Sequence, residues 1–484
     1  MITFWEFLGY LYVLLRWYLY LYWWYFLLIV ILSIFKVHLG VHRGIVVVMS
    51  QIFKYIDQSR KKIVPDIEDD EDQAIECGPI ISPEVDSKMY SATILQNGKI
   101  PRFSSAIQRD IILLPELQHE LDLDDDQEIR FTECPNSTYD LSDAIPYIKA
   151  GIEAIVEDQI TSRFEAEELR TWNLLTRKNP RLCIYNDWKI AVMWFIGAVI
   201  RYSILFPVRF VNCFTSIGLL IAGMAVVGYV PESRFKKLLY KRVNIMCFHV
   251  MARWLGCFLT FHNRENRPTG GIAVSNHTTP FDVLMLNTDH CYSLTGQRQG
   301  GIIGVLERAL SRASPHIWFE RAVTSDRGAV ARRLRDHVSN PKNPPILIFP
   351  EGTCINNTAV TQFKKGAFEV GATVFPIALK YNALYGDPFW NSSKQSGFQH
   401  VIEMMTSWAI KCDIYYLPPM ERKPDETSIQ FANRVKAVIA NKMKVVNLSW
   451  DGGVKRSKPK PEWKALHQKL FSHKLKTRVR NIDQ

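Results

Sequence analysis

A chain of 484 residues with a formal net charge of +11 is long enough for a full-sized enzyme domain and a smaller region beside it. Its basic balance favours anionic partners, without choosing among nucleic acid, phosphorylated metabolites and an anionic membrane surface. Nine cysteines, odd in number and without a C-x-x-C pair, argue against a disulfide framework or a zinc site and fit a reducing, cytosol-facing protein.

The first expected element is a membrane-associated helix within residues 1–50. Trp17 to Phe35 carry no charge and nearly reach the roughly 20 residues that cross a bilayer. Trp and Tyr crowd one end of the run, as they do at membrane interfaces. A cleaved signal peptide is the competing reading, but the run is long and no Ala-x-Ala-like site follows it.

Residues 51–184 form a hydrophilic region. Its acidic runs, "DIEDDED" and "LDLDDDQE", read as solvated faces or disordered segments. Ile145, Ile148, Ile152, Ile155, Val156, Ile160 and Phe164 then recur at helical spacing, which predicts an amphipathic helix that packs on a domain or lies on a membrane.

Residues 185–237 are apolar again, from Trp188 to Val230, broken by Arg201, Pro207 and Arg209. Basic residues flank both ends. Two full spans would put both arginines near a far-side loop, against the positive-inside rule, so a hairpin dipping into one leaflet and bending at Pro207 is preferred, with the arginines snorkelling or paired. Two full spans and a buried helical hairpin of a soluble core remain the alternatives.

From 238 to 450, short apolar runs alternate with helical patterns. "GCFLTFHN", "GIAVSN", "HIWFER", "PILIFPEG", "ATVFPIALKY" and "CDIYYLPP" predict buried strands, and "RGAVARRLRDHV" a helix. This order implies an α/β domain with a mostly parallel sheet flanked by helices, its site beyond the carboxyl ends of the strands. The tail, 451–484, is Lys-rich and reads as a flexible arm leaning on anionic headgroups.

Three strand ends carry chemistry. "GIAVS" delivers Asn276 and His277, with Pro280 expected to open a helix. Here Thr279 and Asp282 also fit a variant of the Thr-x-x-Glu capping box, which would leave His277 incidental. "PILI" leads to "FPEGTC", which on its own is a Pro-Glu-Gly turn. "HIWFER" ends in Arg321, ordinarily a surface arginine. Three such junctions, each with a residue useful for proton or phosphate chemistry, exceed what turns require.

Together these blocks resemble the glycerolipid acyltransferases. Asn276-His277-Thr-Thr-Pro-Phe-Asp282 matches the H-x-x-x-x-D block, and "HIWFER", "FPEGT" and "VFPIAL" follow in the family's order. The wider run from "FPEGTCINN" through "MMTSWAIKCDIYYLPPM" to "WDGG" is similar to the endoplasmic-reticulum glycerol-3-phosphate acyltransferases, over roughly residues 185 to 455. Pro315, Glu320 and Cys354 stand where bacterial and lysophosphatidate-type members carry Gly, Asp and Arg. The last change removes a charge near the substrate.

The resemblance implies transfer of an acyl group from acyl-CoA to the sn-1 hydroxyl of glycerol 3-phosphate, at the cytosolic face of the endoplasmic reticulum and, for a hairpin-anchored protein, also on lipid droplets. The chemistry suits the residues. His277 can act as general base, and Asp282 can fix its tautomer and stabilise imidazolium. Arg321 can fork onto the acceptor phosphate. Glu351, Gly352 and Thr353 contribute to acceptor binding in the resembling family. Lys364 and Lys365 are candidates for the phosphates of coenzyme A or for lipid headgroups, although a solvated face is the plainer reading.

A thioester is already activated, so neither a metal nor a bound cofactor is expected. The expected partners are glycerol 3-phosphate, long-chain acyl-CoA and membrane lipids, with no nucleic acid. Acylation of a lysophospholipid and a non-catalytic hairpin scaffold are the competing functions. The sequons at Asn136, Asn276, Asn356, Asn391 and Asn447 are expected to stay unglycosylated.

Overall fold

The computed structural model describes residues 4–35, 41–63, 162–167, 188–319, 326–448, 450 and 452. The chain divides into two units, Met1–Ile80 with Ala166–Gly453, and Ile81–Glu165 with Val454–Gln484. Of the second, the described part is a single turn at Ser162–Phe164 and its neighbour. Both acidic runs, the basic tail and all but the last turn of the expected amphipathic helix lie outside the described residues.

The first unit opens with two helices, α1 (Phe4–Ile34) and α2 (Val41–Ile63). Next comes a long helical run built of α3 (Trp188–Ile200), a π-helical segment (Arg201–Leu205) and α4 (Phe206–Tyr229). After it, α5 (Arg234–Trp254) leads into the sheet domain. Seven strands form one sheet: β1 (Cys257–His262), β2 (Ile272–Ser275), β3 (Ser293–Gln297), β4 (Ile317–Phe319), β5 (Ile346–Ile348), β7 (Val374–Asn382) and β8 (Ile410–Tyr416). A small separate pair joins β6 (Ala359–Val360) to β9 (Val446–Asn447).

The sheet order is β1-β8-β7-β2-β5-β3-β4. Five neighbours, β7 to β4, run parallel, and β8 meets β7 antiparallel with Ile377 opposite Tyr416. β1 follows β8 in parallel. The mostly parallel sheet is therefore as expected. All six anticipated strands are present, and β3 is the addition, because "SLTGQ" offers no apolar run to flag it.

Helices cover both faces. Leu220 and Met224 of α4 and Cys247 and Trp254 of α5 join Ile377, Leu379 and Ile414 in one core. Phe431, Val435, Ile439 and Met443 of α10 (Ser428–Met443) close over Ile272, Val274 and Ala378 on the other. Coverage on both faces explains why β2 reads Ile-Ala-Val-Ser, an unbroken buried run with no alternation. The remaining helices are α6 (Asp282–Asn287), α7 (Gly301–Ala313), α8 (Asp326–Ser339) and α9 (Gly397–Thr406).

The expected bend at Pro207 is absent. Helical backbone continues from α3 through the π segment into α4, where Pro207 sits in the first turn and its missing N–H costs little. Ala191–Tyr229 is thus one apolar helix of 39 residues, and Arg16–Ile34 is a second run long and apolar enough to cross a membrane. At about 1.5 Å per residue, the first is near 60 Å long, about twice a bilayer's hydrocarbon core. Part of that length packs on the sheet domain, as the buried-core alternative anticipated, while Phe214, Val226 and Tyr229 remain exposed.

The arginines do not snorkel. Arg209 donates to the carbonyls of Met405 (2.8 Å) and Trp408 (3.0 Å), and to that of Ser407. Arg201 reaches the Thr406 carbonyl at 3.3 Å and lies over the rings of Tyr202 and Trp408. These carbonyls belong to the open C-terminal end of α9, whose last acceptors have no intrahelical donor and carry the negative end of the helix dipole. Arg209 is thereby met without an acidic partner, whereas Arg201 is met only in part, its Nε and Nη2 being buried with no hydrogen-bond partner among the described residues.

Replacing Arg209 by Met keeps its bulk but strands those carbonyls. Arg209→Met should cost about 3 kcal/mol, read as a lower thermal midpoint of the purified protein. Arg201→Met should lower that midpoint less, because it removes one longer bond.

Candidate active site

Strand β2 ends at Ser275, and the next two residues turn onto the carboxyl rim of the parallel block. His277 Nδ1 lies 2.8 Å from Asp282 Oδ2. That same oxygen accepts from the backbone N–H of Thr278 (2.8 Å) and of Thr279 (3.1 Å). Asp282 has no exposed surface. α6 starts at Asp282, two residues later than Pro280 suggested, a shift within the usual fraying of helix ends.

The capping alternative is half realised. Asp282 reaches back to the Thr279 N–H as a capping box requires, but the Thr279 hydroxyl pairs with His400 Nε2 at 3.0 Å and meets the helix only through a long 3.5 Å contact from the Phe281 N–H, not through the Asp282 N–H. One carboxylate both closes the turn and holds the imidazole, so capping and charge pairing are not exclusive here.

The "FPEGT" turn after β5 builds the other wall. Phe349 stacks on the His277 ring, with centroids 4.4 Å apart and planes 24° from parallel. Glu351 is buried, one oxygen accepting from the His277 N–H at 2.8 Å and the other from the Thr361 N–H at 3.0 Å. Its carboxylate therefore clamps the histidine's backbone, a task the family pattern did not suggest. Burial pushes the Glu351 carboxyl up to about 8, against the pull of its two backbone donors and of His277.

Gly352 adopts φ +68°, open to glycine, and a Cβ there would stand 3.0 Å from Lys364 Nζ. Lys364 thus lies over the turn. Lys365 instead pairs with Glu369 at 2.8 Å on the exposed surface. The Thr353 hydroxyl is buried with no hydrogen-bond partner among the described residues.

Cys354, read from sequence as a missing charge, lies within hydrogen-bonding reach of the His277 side chain. Burial opposes a charged imidazole at His277, but Cys354 and Asp282 beside it prevail and hold the group well above the ordinary histidine range. Glu320 and Arg321 lie outside the described residues. β4 ends at Phe319, and His316 before it is a structural residue, its Nδ1 accepting from the Leu294 N–H at 2.9 Å.

A second layer is not legible in the sequence, although Asn276 is expected at the rim. Asn276 pairs both ways with Leu379, its amide donating at 3.0 Å and its oxygen accepting at 2.8 Å. Asn357, at φ +61°, donates to the Thr278 hydroxyl (3.0 Å) and the Leu379 carbonyl (2.8 Å). Both tie the His277–Asp282 motif to β7. His400 and Tyr381, which also touch the motif, sit in segments that read as plain helix and strand. Among the described residues no group of three His, Cys, Asp or Glu is placed to hold a metal ion.

Residues 258–380 match the Acyltransferase family model. Glycerol-3-phosphate acyltransferase 4 of Mus musculus is 51% identical over 335 residues, 69% of this chain and 73% of the relative. The chain belongs to the glycerol-3-phosphate acyltransferases of the glycerolipid acyltransferase family. Glycerol-3-phosphate acyltransferase 3-like of Danio rerio is 47% identical over 380 residues, 78% of this chain and 82% of that one. Among solved structures, the 1-acyl-sn-glycerophosphate (LPA) acyltransferase PlsC of Thermotoga maritima aligns with a TM-score of 0.39 and 17% identity, covering 54% of this chain and 100% of that one. In this acyltransferase, the His and Asp of the family block are hydrogen-bonded to each other and the "FPEGT" turn is packed against them.

Glu351 supplies a pH test. The folded chain keeps a proton on it up to about 8, where an ordinary Glu releases it near 4.5, so the unfolded state binds fewer protons across that window. Stability should then fall as pH rises from 4.5 to 8. Glu351→Gln cannot ionise, and its thermal midpoint should vary less across this window than that of the wild type.

Proposed function

We propose that this acyltransferase moves a long-chain acyl group from acyl-CoA to the sn-1 hydroxyl of glycerol 3-phosphate, releasing lysophosphatidate and free coenzyme A. The observation that carries the mechanism is the His277 Nδ1 to Asp282 Oδ2 bond of 2.8 Å. With Nδ1 committed to the carboxylate, Nε2 is the nitrogen left for chemistry. In the neutral imidazole, a form reached against the upward pull of Cys354 and Asp282, it takes the proton of the acceptor hydroxyl as that oxygen attacks the thioester carbonyl. The C–S bond then breaks, and the thiolate of coenzyme A recovers the proton from imidazolium. No enzyme nucleophile is needed, because the acceptor's own oxygen attacks.

Acceptor binding is assigned to the turn Glu351-Gly352-Thr353 with Lys364 and Arg321. Lys364 is favoured over Lys365 for phosphate, since its ammonium overlies Gly352 while Lys365 is paired outward. Glu351 acts through the backbone of His277 and does not meet the phosphate directly. Neither a metal nor a bound cofactor enters the reaction.

The catalytic domain, 238–450, works at a membrane held by segments 1–50 and 185–237, which contain the two apolar helices. The endoplasmic reticulum with a cytosolic active site is the favoured location; lipid droplets, expected only for a hairpin, lose that support because one continuous helix takes its place. The buried, doubly hydrogen-bonded Asn276 amide supports that sidedness, because a glycan cannot attach there in the folded enzyme.

Purified protein supplied with acyl-CoA, glycerol 3-phosphate and lysophosphatidate in competition should acylate the first acceptor preferentially. His277→Ala should abolish turnover in protein that still folds, with a lowered thermal midpoint because the buried Asp282 loses one of its donors. Asp282→Asn should cost on the order of 10⁴ in turnover, as in a related dyad. Arg321→Lys should raise the Michaelis constant for the phosphorylated acceptor more than that for acyl-CoA. A folded, fully active His277→Ala enzyme would overturn the mechanism.

A further inference from the structure

The His277 and Asp282 pair has a third member, contributed from the centre of the sheet. Three donors, the His277 ring and the N–H groups of Thr278 and Thr279, converge on Asp282 Oδ2. Oδ1 receives the hydroxyl of Tyr381, on β7, at 2.5 Å. The phenol is buried and also touches Met285 Sδ at 3.0 Å. Its own backbone is fixed, the Tyr381 N–H donating to Asn357 Oδ1 at 3.0 Å. Asn357 in turn holds Thr278. The ring is thus located by the same strand that anchors the catalytic motif, and its rotation is limited by the wall of the core.

We propose that Tyr381 is a positioning residue for the acyl transfer: its hydroxyl holds the Asp282 carboxylate in the plane that serves His277 and tempers that carboxylate's basicity. The physical argument has two parts. A buried carboxylate bound through one oxygen alone can swing about its Cβ–Cγ bond, and a donor on the second oxygen stops that rotation. The same donor draws negative charge away from Oδ2, so Asp282 stabilises imidazolium less than it would unaided. A base held too tightly as imidazolium would be slow to regain its neutral form, and Tyr381 limits that penalty.

Other groups face the pair and must be separated from this effect. Glu351 and Cys354 approach from the "FPEGT" turn, His400 contacts Thr279 from α9, and Cys412 of β8 and Cys257 of β1 face Tyr381 from behind. None of them donates to Oδ1 in the structure. Tyr381→Phe removes one hydroxyl and leaves these groups in place.

The inference rests on the acyltransferase reading, so the wild type and His277→Ala serve as its controls. For Tyr381→Phe, turnover should fall about 10- to 100-fold, the usual loss for a residue that orients a catalytic group. The Michaelis constants for both substrates should stay within about twofold, since the loss is in the transition state. The acid limb of the pH–rate profile should move to higher pH by about one unit, the size expected for losing one hydrogen bond to a charged group. A merely structural tyrosine would lower the thermal midpoint and leave the limb where it was.

Fluorotyrosine incorporated at position 381 preserves the ring and donates more strongly, so it should move the same limb to lower pH. It also keeps the test open where the phenylalanine variant folds poorly. Unmoved limbs in both proteins, or unchanged turnover in folded Tyr381→Phe, would overturn the assignment while leaving the role of His277 intact. An active His277→Ala enzyme would instead remove the reading beneath it.

Discussion

A carboxylate taken wholly out of water is costly unless donors replace its hydration, and Asp282 has no exposed surface. The architecture of the site follows from supplying those donors. Two are backbone N–H groups that become available only because the chain turns sharply after β2. One is the imidazole of His277, and the last is a phenol from β7. Charge, turn geometry and ring orientation are therefore one problem with one solution. A change at any of the four donors disturbs the His277–Asp282 pair, whether or not the residue lies at the rim.

The same economy governs the far side of the motif. Glu351 spends both oxygens on backbone donors, one of them His277's own N–H, so the two loops at the rim are locked to each other through a buried acid. Phe349 then covers one face of the imidazole. Between them these contacts fix His277 against the "FPEGT" turn. Lys364, lying over Gly352, adds positive charge at that place.

The apolar helix α3–α4 is joined to this arrangement by electrostatics as well as packing. Arg201 and Arg209 meet the open carbonyls at the end of α9. α9 carries His400, whose ring bonds the Thr279 hydroxyl and stacks near Phe281 and Trp390. A continuous set of hydrogen bonds and packed rings thus runs from the apolar helix to the turn that supplies two of Asp282's donors. Charges inside an apolar segment, which sequence alone presents as a liability, serve here as the attachment of the helix to the domain.

Much of this was legible in the sequence, and the reason is local. Continuous apolar runs dictate buried parallel strands, and the polar residues that interrupt them at strand ends mark the rim, so the α/β class and six of the strands could be read directly, while the pairing of His277 with Asp282 rested on the resemblance to the H-x-x-x-x-D block, the residues alone leaving a helix cap open. β3 could not, because its outer end is Thr-Gly-Gln and its burial depends on neighbours far along the chain. Nor could the unbroken helical path through Pro207, since whether a proline breaks a helix depends on the π turn before it and on what meets the nearby arginines. Tyr381, Asn357 and His400 read as ordinary members of a strand, a loop and a helix. Their roles arise from contacts across 99, 79 and 121 residues of chain, and only the folded sheet brings those atoms together. Sequence determined which segments must be buried and where polar groups must surface; the tertiary structure decided which distant side chains satisfy them, because a buried polar group accepts whichever partner the packing delivers.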